Sequence, residues 1–295
     1  MATGEAGPAS GRTLYVVATP LGNLRDISLR ALDVLATVDV IAAEDTRVTA
    51  KLLARHGIAK RLVSLHEHNE RRRAAEIIAV LADGRSVALV SDAGTPGVCD
   101  PGAALVGAVA DAGFAVVPVP GPSAVIAALS ASGVAASRWL FCGFLPATAA
   151  ARRSELERLR DYPFALVFYE APHRLAATLE ALLATFGAER EIVIARELTK
   201  RFESIHRTRL GDAPAWLAAD ADRTRGEFVL IVDAPRTAPR AEDVVSAHDR
   251  TLATLLAELP LAQAVRIAVA LTGAPRKALY ARALALSGRG AAVKA

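Results

Sequence analysis

Residues 86–113 read SVALVSDAGTPGVCDPGAALVGAVADAG: a short apolar run, a loop of small residues, then a longer apolar stretch. Ser86–Val90 carries Val and Leu on both faces of an extended chain, the pattern of a strand covered on two sides. In the loop, Gly94 and Gly97 let the backbone come close to a ligand, and Asp92 can balance a cation or bind hydroxyls. Asp100-Pro101 ahead of GAALVGAVADAG reads as a helix start, with Asp as the N-cap and Pro in the first helical position. Strand, glycine loop and helix form the unit that sets the fold class.

The unit recurs on both sides. Strand-like runs occur at Thr13–Ala18, Val38–Ala43, Arg61–Leu65 and Ala115–Val119, separated by helical patterns such as Leu29–Leu35, Val48–Arg55 and Ala75–Leu81. Apolar residues on both strand faces, with helices between, argue for a parallel sheet. A second set follows the Pro-Gly-Pro at 120–122: Trp139–Phe144, Phe164–Tyr169, Glu191–Ala195, Ser204–Arg209 and Phe228–Val232, with a helix at Arg174–Leu183. The expected chain is α/β, with an N-terminal domain over 13–121 and a second over 122–235. A disordered tail over 1–12 precedes them, a Pro-containing linker over 236–245 follows, and a helical module occupies 246–295. In that module three helical patterns, Ala247–Glu258, Leu261–Leu271 and Arg276–Leu286, include a pair joined by a Thr-Gly-Ala-Pro turn of the helix-turn-helix kind.

At 295 residues and 53% hydrophobic, the chain has enough apolar surface for two cores and is not a disordered polymer. Two cysteines without Cys-x-x-Cys spacing exclude a disulfide scaffold or zinc ribbon and point to reduced, cytoplasmic thiols. The start has no apolar signal region. The longest uncharged stretch, between Asp111 and Arg138, is cut by Pro118, Pro120, Gly121 and Pro122, so a membrane span is not expected. The net charge of +4 is unevenly spread. Residues 1–235 hold 26 Lys and Arg against 27 Asp and Glu, whereas 236–295 hold 9 against 4. A basic excess confined to the last sixty residues is the mark of an appended polyanion-binding element.

No P-loop, G-x-G-x-x-G or G-x-S-x-G motif occurs. His66 and His68, two residues apart with no third ligand in view, read as a polar strand end. What is present is a set of loops at strand ends: TPLGNLRD, AEDTR, SDAGTPG and PGPSA. Each alone is an ordinary connection. Together, at the carboxyl ends of strands in an open sheet, they describe one ligand rim. FYEAPHRL and ARELTKRFE in the second set add charged residues at further strand ends, placed for a cleft between domains.

These segments, with GEFVLIV, resemble in order the family of small-subunit ribosomal RNA methyltransferases that act on a cytidine 2′-hydroxyl. That family is a branch of the tetrapyrrole-methylase superfamily, the class III enzymes that use S-adenosylmethionine (SAM). The resemblance runs from about Leu14 to Val232 and resumes at LPLAQAV and RKALYARAL. It implies a bilobed, homodimeric enzyme with SAM in the interdomain cleft and 16S rRNA in the small ribosomal subunit as partner. By motif, the donor site would use Pro20, Asp92, Ala93, Gly94, Thr95, Pro96, Ser123 and Ala124 from the first lobe, and Phe168, Tyr169, Gly226 and Glu227 from the second. The target would be a cytidine in the decoding region. Removing the hydroxyl proton calls for a base: Asp45 or Glu44 of AEDTR is the candidate, with Arg47 and Lys200 as phosphate or oxyanion contacts and no metal required. A purely structural AEDTR, its acid paired with its own arginine, stands level with that reading. Arg266, Arg276, Lys277 and Arg282, with Arg289 and Lys294, face no compensating acid and are the expected RNA contacts. A class III enzyme acting on a tetrapyrrole, and a non-catalytic rRNA-binding assembly factor, are the alternatives.

Overall fold

The computed structural model describes residues 11–66, 68–235 and 248–287. Residues 1–10 of the tail expected over 1–12, the linker over 236–245, Arg289 and Lys294 lie outside them. Contacts gather the residues up to Ala234 into one compact unit and those from Pro235 into another.

In the first unit, strands β1 (Thr13–Val17), β2 (Val40–Ala43), β3 (Arg61–Ser64), β4 (Val87–Val90) and β5 (Ala115–Val119) form a five-stranded sheet in the order β3-β2-β4-β1-β5, all parallel. Strand alternation divides its side chains between two apolar layers. Ile41, Ala43, Ala88 and Val90 meet Val34 and Leu35 of α1 (Leu29–Thr37) and Leu52 and Leu53 of α2 (Thr46–Arg55). Val40, Ala42, Val87 and Leu89 meet Ile77 and Leu81 of α3 (Glu70–Ala82) and Leu105 and Val109 of α4 (Ala103–Asp111). Every residue of β2 and β4 is buried, as their continuous apolar sequences require.

The start of α4 differs from the sequence expectation. Its N-cap is Gly102, at φ 133°, with no side-chain cap of its own. Glu70 of α3 supplies the missing acceptor: its Oε1 takes the backbone N–H of Gly102 at 3.0 Å and of Leu105 at 2.9 Å. A carboxylate at a helix N-terminus satisfies orphan donors and opposes the helix dipole, and this leaves Asp100 free for another place.

A second sheet holds β6 (Trp139–Phe144), β7 (Ala165–Glu170), β8 (Glu191–Arg196), β9 (Ser204–Arg209) and β10 (Phe228–Val232) in the order β6-β7-β10-β8-β9. Only β6 and β7 run parallel; the other three pairings are antiparallel. One face packs on Val125 and Ala128 of α5 (Ala124–Ser132), the helix that follows PGPSA. The other packs on α6 (Ala149–Leu159), α7 (Leu175–Phe186) and α8 (Ala213–Ala218).

The second unit contains α9 (Asp249–Glu258), α10 (Leu261–Thr272) and α11 (Arg276–Leu286) around Leu252, Val265, Ala268, Leu279 and Ala283. Gly273, at φ 67°, ends α10 in the left-handed region that favours glycine, and the Thr272 hydroxyl accepts the Ala274 N–H at 3.2 Å. The expectation of unpaired cations fails at Arg282. Its guanidinium donates to Asp249 at 2.8 Å, tying α11 to α9. Arg266, Arg276 and Lys277 are exposed.

Candidate active site

The loops at the carboxyl ends of the first sheet are sewn together by one backbone bridge and several side chain–backbone hydrogen bonds. Thr19 and Gly94 form an isolated antiparallel bridge, and the Thr19 hydroxyl donates to the Ser91 carbonyl at 3.0 Å. The Thr95 hydroxyl donates to the Pro122 carbonyl at 3.0 Å, joining SDAGTPG to PGPSA. Asp45 N–H donates to Asp92 Oδ1 at 3.0 Å, and Asp92 N–H donates to Glu44 Oε2 at 3.2 Å, joining SDAGTPG to AEDTR. Gly94 sits at φ 80°, which a side chain would resist.

These loops face a cavity of about 350 Å³, within the range of small-molecule sites. Ala93, Gly94, Thr95, Ser123 and Ala124 line it from the first sheet, with Leu21, Val98, Cys99 and Asp100 beside them. Tyr169, Glu170, Pro172, Leu198, Glu227 and Val229 line it from the second. A mostly apolar wall with a few carboxylates, an aromatic ring and a glycine backbone suits an adenosyl group carrying a positive sulfur.

The Tyr169 wall is rigid. Its ring packs against Phe141 and Phe144, with centroids 4.9 and 5.5 Å away. Glu170, 2% exposed, accepts the Thr178 hydroxyl at 2.6 Å and the Ala171 N–H at 2.8 Å, and pairs with Arg174 at 3.1 Å. Arg174 in turn donates to the carbonyls of Leu145 and Pro146. A buried charge is tolerable because each of its oxygens is satisfied. Burial, with Cys99 and Asp100 nearby, pushes the Tyr169 phenol up to about 12, so it stays neutral. Burial and the neighbouring Glu44 push Asp100 up to about 6.

Several expected residues fall elsewhere. Phe168 is fully buried among the α6, α7 and α8 contacts, because alternation along β7 puts it on the face opposite Tyr169. Pro20, Asp92, Pro96 and Gly226 are not part of the cavity lining. Gly226 makes room for Glu197, whose Cγ would lie 2.4 Å from an added Cβ.

Asp45 accepts the Arg47 N–H as the cap of α2 at 2.8 Å, and its second oxygen takes the Arg47 guanidinium at 2.6 Å. These contacts hold its carboxyl down to about 2. They are the acid–arginine pairing that the structural reading of AEDTR expects, and neither Asp45 nor Arg47 lines the cavity. Lys200 likewise is spoken for: its Nζ donates to Glu197 at 2.9 Å and to Glu227 at 2.7 Å.

Asp100, Glu170 and Leu198 are the lining residues that motif reading undervalued. The signal for Asp100 lies in its own loop, but an Asp-Pro pair ahead of an apolar run carries the pattern of a helix N-cap.

Residues 13–214 match the family model for tetrapyrrole (corrin/porphyrin) methylases, and residues 242–287 match a model for the RsmI C-terminal HTH domain. The chain is 48% identical over 275 residues to ribosomal RNA small subunit methyltransferase I of Escherichia coli O157:H7, covering 93% of this chain and 96% of the relative. It is 50% identical over 274 residues to the enzyme of the same name from Neisseria meningitidis serogroup A, covering 93% and 94%. The chain belongs to the ribosomal RNA small subunit methyltransferase I family.

Among solved structures, cobalt precorrin-4 methyltransferase CbiF aligns with a TM-score of 0.57 at 16% identity, covering 75% of this chain and 95% of that one. Uroporphyrin-III C-methyltransferase from Thermus thermophilus, complexed with S-adenyl homocysteine, aligns with a TM-score of 0.53 at 17% identity, covering 75% and 97%. At such identities these two establish the fold alone. No helix among the described residues is long and apolar enough to cross a membrane.

Proposed function

We propose that the chain transfers a methyl group from SAM to the ribose 2′-hydroxyl of a cytidine in the decoding region of 16S rRNA, acting as a cytoplasmic homodimer on the assembled small subunit. The methyltransferase class and the donor follow from family membership. Coverage supports an rRNA rather than a tetrapyrrole substrate: the ribosomal RNA relatives align along 93–95% of the chain, the C-terminal module included, whereas the tetrapyrrole enzymes align along 75%.

When bound, SAM supplies an electrophilic methyl on a sulfonium. The residues supporting its capture are the Ala93–Thr95 main chain, Ser123, Ala124, the Tyr169 ring and Glu227. Their part is to hold the donor in line with the acceptor oxygen and keep water away, and positioning of this kind contributes on the order of 7–11 kcal/mol. The acceptor hydroxyl must lose its proton as the new C–O bond forms and the C–S bond breaks. Asp100 takes the role first expected of Asp45 or Glu44, since it stands in the cavity wall with a carboxylate near neutrality.

The test is to incubate the protein with labelled SAM and small subunits from cells lacking the endogenous modification, then locate the label by resistance of the RNA to alkaline cleavage. A single blocked linkage after a cytidine supports the reading. Label on a base, or none, overturns it.

A further inference from the structure

Beside the cavity lies a second, wider concavity of about 1030 Å³, bounded by the loop after β1, the end of α2 and the turn between β8 and β9. The two concavities share their walls. Leu21 and Leu198 face the cavity, while their neighbours Gly22 and Thr199 face the groove. The Asn23 N–H donates to the Thr199 hydroxyl at 3.2 Å, clasping the two loops, and Lys200 passes so close to Gly22 that an added Cβ would lie 2.3 Å from its Cγ.

The groove is basic. Arg25, Arg55, Lys200 and Arg201 line it together with His56, and no carboxylate does. Lys200 is neutralised by Glu197 and Glu227, but Arg25, Arg55 and Arg201 have no acidic partner among the described residues. The His56 Nε2 is buried there without a hydrogen-bond partner among the described residues. Arg201 lies over the ring of Phe202, 5.5 Å from its centroid; Phe202, 63% exposed, follows the last lining residue of the groove and stands outside the lining itself. Glu197 and Thr199 hold left-handed φ values of 51° and 66° in this turn. Such backbone costs energy and persists where the surroundings enforce it, most often at functional sites. Free guanidinium groups beside an exposed aromatic ring form the combination that binds single-stranded nucleic acid, phosphates on the cations and a base on the ring.

Resting on the rRNA reading above, we propose that this groove holds the single-stranded RNA flanking the target nucleotide, with Arg25, Arg55 and Arg201 on phosphates and Phe202 stacked on a base. The shared walls then bring the target ribose to the donor without the strand having to cross the enzyme. It follows that polyanion affinity is not confined to the C-terminal module. The near-neutral sum of residues 1–235 conceals a basic face.

The test compares the full-length protein with its R25A/R55A/R201A variant, using unmodified small subunits. The KM for subunits should rise by roughly tenfold or more, and the slope of log affinity against log salt should fall by about 2, at roughly 0.7 per single-strand phosphate. The calorimetric affinity for SAM should stay within about twofold, showing an intact fold. The corresponding triple Lys variant should recover much of the loss, because a phosphate accepts a point charge, and F202A should raise KM without changing the salt slope. An unchanged KM and slope in the alanine variant would sink the proposal while leaving the rRNA reading intact. So would a fall to monomers by sedimentation that tracks the KM change, since the groove would then join two copies of the chain. Failure of the unaltered protein to methylate subunits would remove the rRNA reading itself, and this proposal with it.

Discussion

Thr19 and Gly94 exchange two backbone hydrogen bonds, Thr19 N–H to the Gly94 carbonyl at 2.8 Å and Gly94 N–H to the Thr19 carbonyl at 3.0 Å. The loop after the first strand and the loop after the fourth are thereby joined at the wall of the cavity. Gly94→Ala tests this seam. The positive φ costs a side chain about 1–2 kcal/mol, and the new Cβ would sit 3.3 Å from Leu21 Cδ2 in the cavity wall. A fall in thermal midpoint of roughly 2–8 °C is expected, with SAM affinity down roughly tenfold by calorimetry. Unchanged affinity would show that the glycine serves the fold alone.

Asp100 carries a pH prediction. Its carboxyl is raised to about 6, so below that value it is protonated and cannot accept the acceptor's proton. The kcat/KM should therefore climb with pH through about 6 and level off above it. Asp100→Asn should abolish this limb and slow turnover by about 10²–10⁴ with SAM affinity little changed. If the limb survives in the variant, another group is titrating.

Asp45→Asn should do the opposite. Asparagine caps helices about as well as aspartate, and the ion pair with Arg47 is exposed at the Arg47 end. Turnover and its pH profile should be kept. A collapse of turnover with SAM binding intact would return the proton-accepting role to Asp45.

Thr178→Val removes the hydroxyl that donates to the buried Glu170 at 2.6 Å. Leaving a buried charged acceptor short of a partner costs about 1–3 kcal/mol, to be read from denaturant unfolding. Because Glu170 also anchors Ala171 and Arg174, the KM for SAM should rise as the Tyr169–Pro172 wall loosens. A stability loss with unchanged KM would show that the wall holds its shape without this bond.

In the C-terminal module, Arg276→Ala with Lys277→Ala should reduce the salt slope of subunit binding by about 1.5, at roughly 0.7–0.9 per phosphate contact, without altering SAM affinity. Arg282→Ala acts differently, since that guanidinium is tied to Asp249; the module's helical content should fall first. If both variants behave alike, the module's charges are acting through its fold.

Much of the fold was legible because burial leaves a repeating trace. Continuous apolar runs such as Val87–Val90 marked the covered strands, and the glycine loops after them marked the cavity wall. The rest depended on partners distant in sequence. Asp100 looked like a cap because Glu70, the true acceptor for the start of α4, lies 32 residues upstream of Gly102. Arg282 looked unpaired because Asp249 reaches it from 33 residues away. Phe168 and Tyr169 read as one motif, yet strand geometry sends them to opposite faces. The basic groove was hidden by arithmetic, since Arg25, Arg55 and Arg201 come from three separate segments whose charges cancel in the sum.

The joints between the cavity's loops have a practical consequence for anyone redesigning this enzyme. The Thr19–Gly94 bridge is made wholly of main-chain atoms, and the Thr95–Pro122 bond accepts at a carbonyl. Such joints tolerate changes in the side chains around them. Positions such as Leu21 and Val98 can therefore be varied to admit donors with larger transferable groups while the outline of the binding site stays as drawn by the backbone.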